Sequence, residues 1–539
     1  MVHYIIVTGG VISGLGKGIV TSSLGKILQL HGYKVTAMKI DPYINCDAGT
    51  LRPTEHGEVW VTEDGGEIDQ DLGHYERFLD INIPKCNNIT TGQVYNVVIE
   101  KERNGKYLGK TVQPIPHVTD EIKRRIRFPA SEAKYDFVLV EIGGTVGDYE
   151  NVLFLEAVRQ MKHEGEQILY VHVTYVPVLK SLGEAKTKPT QHSVKLLREI
   201  GIQPDFIITR SEKPLDDVRK EKIALFCNVH GDDVISDANI DNVYGVPMLF
   251  EEQFVCQKIL KKLGLRRKQA SLKQWTNYIH RIKKFDNKIK IGIVGKYFDI
   301  GAFKLSDSYI SVIEAVKHAA WNNHVRPEIE WIDSKVFEKQ PRKIVNLKKV
   351  DGIIVPGGFG LSGIEGKIAT IKYARENNIP YLGLCLGMQL AVVEYARNIC
   401  GIKDANTVEV DKSTANPVID FIPDQVKIIT ESRYGATMRL GAYPAMLTEG
   451  SLIRKLYDNQ AKVFERHRHR YEVNPKFIDV LEKSGLCFSG RSPDGILMEF
   501  MELPSHPYFV GTQAHPEFKS RPMKPAPLFD GLIKAAKKK

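Results

Sequence analysis

Two short stretches of the chain combine reactive side chains with closely spaced glycines. The first runs from Gly9 to Gly18 and contains one charged residue, Lys17. It follows an apolar run at residues 4–7 and precedes leucine and isoleucine at helical spacing, a pattern that indicates strand, turn and helix. Glycine N–H groups, a helix N-terminus and a lysine ammonium together form a cradle for phosphate. This stretch predicts a nucleotide-binding loop, and a tight glycine turn without a ligand is the alternative.

The predicted loop departs from the Walker A pattern. Gly18 stands directly after the lysine, where that pattern has the serine or threonine that holds magnesium, and the glycine spacing is one residue longer. The magnesium ligands must then lie elsewhere in the chain. Asp71 belongs to an acidic, glycine-containing loop, and Glu141 ends the apolar run of residues 135–141. Because carboxylates at the ends of buried parallel strands suit Mg²⁺, we predict both as ligands.

The second stretch is Gly383 to Gly387, which places Cys385 between an apolar run and a helical pattern. Small residues permit a sharp turn that exposes the sulfur, and the helix N-terminus favours the thiolate and offers an N–H to an oxyanion. Further along the chain, His515 and Glu517 stand two residues apart in an apolar setting. Cys385, His515 and Glu517 therefore predict a nucleophile, a base and an orienting carboxylate. We interpret the other six cysteines as ordinary structural residues.

Three further stretches stand out, of which the first is a specific signal and the other two are open to more than one interpretation. A strand from Val350 ends in glycines at 357, 358 and 360. Lys186 to Ser193 begins a helix with two lysines, a threonine and a glutamine, and could bind phosphate and a base edge or form a solvated cap. Glu465 to Glu472 alternates arginine with histidine. A carboxylate-binding arginine is the better interpretation of that last stretch than a metal or nucleic-acid site.

The order of the apolar runs predicts two domains. Strand and helix patterns alternate from the start of the chain to about residue 265, which indicates a doubly wound α/β domain at 1–265. Residues 266–288 are basic and polar and form the predicted linker. Strand patterning restarts at Ile289, so 289–539 form the second doubly wound α/β domain. The 539 residues suffice for two large α/β units.

Composition narrows the class of protein. Charged residues make up 26% and hydrophobic residues 42%, as in ordinary globular proteins, and no apolar run approaches the length of a membrane span. The net charge of +10 suits anionic ligands, but the basic residues are concentrated in the linker and the final lysines, so we expect no nucleic-acid partner. Seven scattered cysteines without CxxC spacing, and a first segment unlike a signal peptide, indicate a cytoplasmic protein.

With these residues in view, the chain resembles the CTP synthase family along nearly its whole length, and its second half resembles class I glutamine amidotransferases. The matching stretches are Gly9–Gly18, Met38–Asn45, Asp71–Arg77, Val140–Asp148, Lys186–Ser193, Cys385–Gln389 and Arg466–Asn474. The resemblance implies amination of UTP to CTP, with ATP phosphorylating O4 of the uracil. It also implies that glutamine supplies ammonia through an internal tunnel.

The resemblance further implies ligands and partners. Mg²⁺ would accompany ATP, GTP would activate allosterically, CTP would inhibit by feedback, and the chain would form a homotetramer. The tunnel would be lined by His56 and Val59. Some relatives have a lysine where this chain has Ile310, so contacts from the second domain to ATP differ from the family pattern.

Site residues carried over from the family fall into three groups. For ATP they are Gly14, Leu15, Gly16, Lys17, Gly18, Ile19, Lys39 and Asp71. For UTP, and for CTP in part of the same site, they are Ser13, Asp148, Tyr149, Glu150, Lys186, Thr187, Lys188, Pro189, Thr190, Gln191 and Lys222. For L-glutamine they are Gly358, Leu386, Gly387, Met388, Gln389, Glu409 and Arg470.

Two other functions remain as alternatives. A P-loop amidotransferase that amidates a carboxylate on a cofactor precursor would share the phosphate loop and the glutaminase but would not need residues 186–191 as a second nucleotide site. A partition-type ATPase or filament scaffold would need no intact Cys385, His515 and Glu517.

Overall fold

The computed structural model describes residues 2–179, 183–295, 299–300, 303–304, 306–358, 362–422 and 437–538. The chain forms two compact units. The first contains residues 1–48 and 69–280, and the second contains 49–68 and 281–539. The segment 49–68 thus interrupts the first unit in sequence but belongs to the second in space. Residues 359 and 360, at the end of the predicted glycine turn after Val350, lie outside the described residues.

The first unit is built on a parallel sheet. Among the described residues it has seven strands in the order β7-β6-β5-β1-β4-β2-β3. Every strand from β1 to β4 is almost wholly buried, because helices cover both faces, and so the sequence reads as continuous apolar runs. The strands are β1 (His3–Gly9), β2 (Val35–Asp41), β3 (Asn88–Thr90), β4 (Phe137–Ile142), β5 (Gln167–Tyr175), β6 (Phe206–Ser211) and β7 (Val234–Ala238).

The helices of this unit follow the strands as crossover connections. They are α1 (Lys17–Leu30), α2 (Asp71–Leu79), α3 (Thr91–Arg103), α4 (Thr119–Glu132), α5 (Val152–His163), α6 (Lys188–Glu199), α7 (Asp217–Cys227), α8 (Val246–Glu252), α9 (Val255–Lys262) and α10 (Lys273–Ile282). In the sheet, β2 and β4 lie on one side of β1, and β5, which follows them in sequence, lies on the other side. The carboxyl end of β1 therefore lies at a switch in strand order, where open α/β sheets form their ligand crevice.

The second unit is built on a mixed sheet. Its order among the described residues is β9-β8-β10-β11-β16-β15-β14-β12-β13, parallel from β9 to β16 and antiparallel beyond. The strands are β8 (Lys288–Gly295), β9 (Arg326–Asp333), β10 (Gly352–Val355), β11 (Tyr381–Leu384), β12 (Arg439–Leu447), β13 (Lys462–His469), β14 (Cys487–Arg491), β15 (Met498–Glu502) and β16 (Phe509–Thr512). The predicted α/β class is confirmed for both units.

Helices cover both faces of the second sheet and enclose two apolar clusters. They are α11 (Ile310–Asn322), α12 (Lys335–Lys339), α13 (Ile364–Glu376), α14 (Leu386–Asn398), α15 (Leu452–Leu456), α16 (Ile478–Lys483) and α17 (Pro527–Ala536). A small separate sheet is formed by Ala405–Thr407, Asn416–Phe421 and Tyr471–Val473. No helix within the described ranges has the length and apolar character needed to cross a membrane.

Helix α10, which lies in the predicted linker, is anchored by a tryptophan. Trp275 is only 2% exposed, and its Nε1–H donates to the Tyr244 carbonyl oxygen at 3.2 Å. Its ring lies 6.3 Å from that of Phe78, and the Lys26 ammonium lies 4.5 Å from its centre. The linker segment is therefore part of the core of the first unit over its helical portion.

We expect Trp275→Ala to lower the free energy of unfolding of the first unit by about 3–5 kcal/mol, because it leaves a large cavity. Urea unfolding followed by far-UV circular dichroism measures the loss. Gln274→Ala, an exposed change on the same helix, is the matched control and should have little effect. Equal stability of the two variants would show that α10 is not anchored by this ring.

Candidate active sites

The turn after β1 has the geometry of a phosphate loop. Strand β1 ends at Gly9, and α1 begins at Lys17 with Gly16 in the left-handed region at φ 84°. The Lys17 ammonium folds back over the turn and donates to the Gly144 carbonyl oxygen at 3.0 Å. A Cβ at Gly9 would lie 2.7 Å from Lys17 Cδ, so the glycine makes room for this return. The predicted strand, glycine turn and helix are present.

The glycine that replaces the Walker A hydroxyl has a structural reason. A Cβ on Gly18 would lie 2.3 Å from Oδ1 of Asp71, the first residue of α2. The Asp71 carboxylate thus occupies the space in which a serine or threonine side chain would stand. Gly18 is therefore needed where it stands, because the predicted ligand Asp71 packs directly against it.

The Lys39 ammonium lies close to four carboxylates of this site. This group, on β2, forms ion pairs with Asp71 and, at 2.9 Å, with Glu141 Oε1 on β4. Oxygens of Asp41 and Asp69 each lie 4.0 Å from the same nitrogen. The structure therefore brings together Lys39, Asp71 and Glu141 as predicted, and adds Asp41 and Asp69.

Three neutral groups hold these carboxylates in place. Tyr75 donates its hydroxyl to Glu141 Oε2, and the Asn88 amide donates to Asp41 Oδ2 at 2.8 Å. The Asp71 N–H donates to Asp69 Oδ1 at 2.9 Å. Glu141, Asp41 and Asp69 are thus each oriented by a second contact, as ligands of a metal ion commonly are.

The pKa values in this cluster follow from burial and charge. Burial alone would lower the pKa of Lys39, but Asp71, Glu141, Asp69 and Asp41 raise it well above its ordinary value. Burial raises the pKa of Asp69 well above its ordinary value, against the effect of Lys39. Burial also raises the pKa of Asp41, to about 6. Burial lowers the pKa of Lys17. Lys39 is therefore a fixed positive charge among acids that it does not fully neutralise.

This donor set fits a hard divalent cation. Four carboxyl groups converge on two lysines, Lys17 and Lys39, so acidic groups outnumber ammonium groups. All the candidate ligand atoms are oxygens, which Mg²⁺ prefers. Asp71 and Glu141 approach most closely and face the phosphate loop through Gly18 and Lys17. The residues present therefore match the predicted magnesium site in charge and in donor type.

The predicted pyrimidine-nucleotide residues surround the start of α6. Lys186 pairs with Glu184 at 2.7 Å, and the Lys188 ammonium lies 5.5 Å from the ring centre of Phe226 on α7. Thr190 is buried and accepts a hydrogen bond from Thr174. Thr187 likewise accepts from the Gln191 amide. The two threonine hydroxyls are thus engaged within the protein, whereas Lys188 is exposed.

The other predicted nucleotide residues are mostly at the surface. Ser13, Asp148, Glu150 and Lys222 are exposed, and Tyr149 is 98% exposed. Asp148 Oδ2 accepts from the Thr145 N–H at 2.9 Å, which shapes the turn after β4. Gly10 and Gly147 pack against Ser193 and Leu196 of α6, so the turns after β1 and β4 both lie next to this helix. Their role in binding UTP stays a prediction.

In the second unit, Cys385 stands on a strained turn between β11 and α14. Its φ is 49° and its ψ is −104°, a conformation that costs of the order of 1–3 kcal/mol for a non-glycine residue. The Cys385 N–H donates to the Thr512 carbonyl oxygen at 2.7 Å, which holds the turn. Gly387 is required because a Cβ there would lie 2.0 Å from the Val355 oxygen. The nucleophile elbow predicted from the spacing is present.

His515 and Glu517 lie beside this cysteine. His515 Nδ1 and Glu517 Oε1 are 2.7 Å apart, and the imidazole stacks on Phe518. Burial alone would lower the pKa of His515, but Glu517 and Cys385, which is hydrogen-bonded to the ring, raise it to about 10. The histidine is therefore poised as an imidazolium beside the sulfur. The structure brings the three predicted catalytic residues together.

The cysteine opens into a cavity of about 450 Å³. Part of its wall comes from the segment 49–68, which includes the predicted tunnel residue Val59. His56 is not among the lining residues and lies in a single helical turn, Pro53–His56. The wall also contains Gly358, Met438, Arg468, Arg470, His515 and Glu517.

The predicted glutamine-binding residues have different positions. Gly358 and Arg470 line the cavity, and Arg470 donates to Thr437 Oγ1 at 2.9 Å. Leu386, Gly387, Met388 and Gln389 form the buried first turn of α14, and Glu409 follows the strand Ala405–Thr407 at intermediate exposure. The cavity lining includes none of these last five residues. Their contact with glutamine stays a prediction.

The arginine and histidine alternation lies on β13, and its two faces differ. Arg466 and Arg468 bind Glu63 and Glu67 of the segment 49–68, at 3.0 and 2.8 Å. The arginines are thus carboxylate-binding, with partners inside the protein. Arginine and histidine alternate along these residues with a period of two, as side chains on opposite faces of a strand do. This period was the signal in the sequence that the two residue types lie on different faces of β13.

The opposite face of β13 belongs to a buried network that sequence reasoning missed. His467 Nδ1 and His469 Nε2 lie 3.0 Å apart, and both imidazoles approach carboxylates of Glu499 and Glu472. Arg439 pairs with both acids. Burial, and then Arg439, lower the pKa of each histidine well below its ordinary value. Glu499 comes from a distant strand, so no local spacing could have revealed it, whereas Glu472 stands three residues after His469 in the same stretch.

Ile310, where the family pattern differs, is the first residue of α11 and packs against the apolar core of the second unit. Its position in the apolar core gives no support for a contact with a nucleotide.

Comparison with known proteins finds relatives of both halves of the chain. Residues 3–265 match the family model for the CTP synthase N-terminus, and residues 304–535 match that for class-I glutamine amidotransferase. The CTP synthase of Pyrococcus abyssi is 55% identical over 100% of this chain and 98% of its own length. That of Methanopyrus kandleri is 55% identical over 99% of this chain and 98% of its own length. Both relatives are more than half identical and cover the chain almost from end to end, and the chain belongs to the CTP synthase family.

Proposed function

We propose that this chain makes CTP from UTP, ATP, glutamine and water, with release of ADP, phosphate and glutamate. The observation that carries the proposal is the presence of two complete sites in one chain of this family. One is the phosphate loop with its Lys39 carboxylate cluster. The other is the Cys385, His515 and Glu517 set beside a cavity. ATP-dependent activation and glutamine-dependent amination each need one of them.

The first site activates the pyrimidine. The turn from Gly14 to Ile19 binds the ATP phosphates through its N–H groups and the N-terminus of α1. The uracil O4 attacks the γ-phosphorus, the bond to the ADP oxygen breaks, N3 of the ring loses its proton to solvent, and a 4-phosphorylated UTP forms. Lys17 and Lys39 stabilise the charge on the transferred phosphoryl group. Ammonia then adds at C4, the C–O bond breaks with departure of phosphate, and a proton is released.

Asp71 and Glu141 would hold Mg²⁺ in this site, with the carboxyl groups of Asp41 and Asp69 close to the same ammonium group. The ion supplies charge neutralisation for the phosphates of ATP when it is bound. Lys39 keeps both carboxylates oriented through its ion pairs, so the acids are positioned before nucleotide arrives.

UTP binds next to the phosphate loop, at the start of α6. Residues Lys186 to Gln191 present two ammonium groups and a helix N-terminus, which suit a triphosphate. Ser13, Asp148 to Glu150 and Lys222 complete the site, and CTP competes for part of it. The exposure of Lys188 and its place beside Phe226 support this assignment.

The second site releases ammonia. The Cys385 thiolate attacks the side-chain carbonyl carbon of glutamine, and N–H groups of the turn stabilise the oxyanion. The C–N bond breaks as the His515 imidazolium gives its proton to the leaving nitrogen, which leaves a glutamyl thioester and ammonia. Water, deprotonated by the now neutral His515, hydrolyses the thioester to glutamate and regenerates the thiolate. Gly358, Leu386 to Gln389, Glu409 and Arg470 hold the substrate.

The remaining features follow from membership of the family. Residues 1–265 carry the synthetase and 289–539 the glutaminase, joined by 266–288, with 49–68 contributing to the glutaminase cavity. GTP activates the glutaminase, and the active form is a cytoplasmic homotetramer. The family matches at 3–265 and 304–535 support this division.

We expect Cys385→Ala to abolish CTP formation from glutamine and to spare formation from ammonium, because only the first reaction needs the thiolate. The change in pyrimidine absorbance, with UTP, ATP, Mg²⁺ and either nitrogen source, measures both rates, with GTP added in each case. Cys487→Ala is the matched control and should retain both. Absence of CTP with either nitrogen source in the unchanged protein would refute the proposed function. Loss of both reactions in Cys385→Ala would contradict separate sites.

Asp71→Asn and Glu141→Gln should each lower ammonium-dependent synthesis at least 10²-fold and leave glutamine hydrolysis measurable, because each removes one anionic ligand. Initial rates over a range of Mg²⁺ concentrations should show a raised requirement for the metal. Asp80→Asn is the control, since Asp80 is an exposed acid at the end of α2 in a left-handed conformation that asparagine tolerates. An unchanged Mg²⁺ dependence in both variants would remove these residues from the metal site.

We expect Glu517→Gln to move the alkaline limb of the glutaminase pH profile to lower pH. The carboxylate helps to hold the pKa of His515 at about 10, so the imidazolium persists through neutral pH. A neutral amide lowers that pKa, and the imidazolium is lost at a lower pH. We expect kcat/KM at pH 8 to fall about 10- to 100-fold. Exposed Glu449→Gln is the control, and a limb at the same pH in Glu517→Gln would contradict the role of this carboxylate.

A further inference from the structure

A buried chain of amide groups ends at the catalytic sulfur. Gln513 follows β16 and is fully buried. Its Nε2 lies 3.6 Å from Cys385 Sγ, within hydrogen-bond reach of sulfur. Its Oε1 lies 3.1 Å from Nε2 of Gln389, which in turn lies 2.9 Å from the Tyr471 carbonyl oxygen. Sulfur, two amides and one backbone carbonyl are thus connected in series.

The orientation of both side-chain amides follows from the last group in the series, the Tyr471 carbonyl. A backbone carbonyl oxygen only accepts, so the Gln389 atom facing Tyr471 must be the NH₂ group. That NH₂ group only donates, so the Gln513 atom facing it must be the carbonyl oxygen. The NH₂ group of Gln513 must then face Cys385. The sulfur therefore meets a donor, and not the amide oxygen that a thiol would prefer.

We propose that Gln513 is a catalytic residue of the glutaminase, whose N–H stabilises the Cys385 thiolate, and that Gln389 is the positioning residue that fixes its orientation. This inference deepens the proposed glutamine hydrolysis and rests on it. It also gives Gln389 a second function besides holding the substrate. The same donor stabilises the sulfur again when the thiolate leaves the thioester.

Other groups around the sulfur also affect the balance between thiol and thiolate, some favouring the thiolate and some the thiol. The His515 imidazolium favours the thiolate, and Arg470 of the cavity wall adds positive charge. The Arg468 carbonyl oxygen, 3.8 Å from Sγ, accepts from the thiol and so favours the protonated form. Glu472 faces the site from the strand Tyr471–Val473, and its carboxylate would oppose the thiolate. Burial, and then Glu499, raise the pKa of Glu472 well above its ordinary value, and Arg439 pairs with this acid, so the opposition is weakened.

The test measures the thiolate directly. Alkylation of Cys385 by iodoacetamide, followed over pH by mass spectrometry of the peptide that contains it, reports the thiolate fraction without nucleotides or turnover. Gln513→Met keeps the length of the side chain and removes the donor. We expect the alkylation midpoint to rise and the rate at pH 7 to fall about 10- to 100-fold, as for loss of a hydrogen bond to a charged group. Glutaminase kcat should fall in parallel, with a smaller change in KM.

Two further variants complete the design. Gln460→Met, an exposed position of the second unit, is the matched control and should keep the parent midpoint. Gln389→Met frees the Gln513 amide to rotate and should shift the midpoint in the same direction by a smaller amount. A parent-like midpoint in folded Gln513→Met would overturn the proposal. If Gln513→Met does not fold, a parent-like midpoint in Gln389→Met would overturn it equally. The proposed function would be untouched by either result, because CTP formation is a separate measurement.

Discussion

The buried ammonium of Lys39 is the charge on which the first site depends. Four carboxylates from three parts of the chain lie within 4.0 Å of it. Without it, buried like charges would face one another, at a cost of several kcal/mol for each unpaired ion. With it, β2, β4 and the start of α2 are held at one edge of the sheet, beside the phosphate loop. The carboxyl groups outnumber the ammonium groups, and their oxygens make the place suitable for a divalent cation.

The second site depends on a backbone constraint of a different kind. Cys385 occupies a conformation that few residues adopt, and its N–H donates to Thr512, while Gly387 lets the turn pack closely against Val355. This conformation places the sulfur at the N-terminus of α14, next to the His515 imidazolium. Burial alone would lower the pKa of that histidine, and Glu517 and Cys385 raise it. In both sites, then, local strain or buried charge is stabilised by the strands of a parallel sheet.

Much of the fold and of both sites could be predicted from the sequence, because their signals are local. The glycine turns, Lys17, Cys385, His515 and the ends of β2 and β4 fall where the spacing of apolar residues indicates. Gly18 was the most informative residue: its departure from the Walker A pattern predicted carboxylates elsewhere, and Asp71 fills the space that it leaves.

Other features could not be predicted, because they depend on register between distant strands. Arg466 and Arg468 were expected to bind carboxylates, but only the packing of the segment 49–68 shows that these are Glu63 and Glu67. That segment also lies in the second unit, although it is flanked by the first. The orientation of Gln513 is set by a carbonyl more than forty residues away in sequence, at Tyr471.

The central claim is that one chain couples glutamine hydrolysis to amination of UTP. The most direct measurement uses glutamine labelled with ¹⁵N in its side-chain amide, together with UTP, ATP, Mg²⁺, GTP and an excess of unlabelled ammonium at a pH where little of it is free ammonia. Mass spectrometry of the CTP formed should show the label on the pyrimidine at high enrichment. Label found only in free ammonium, with unlabelled CTP or none, would contradict the claim.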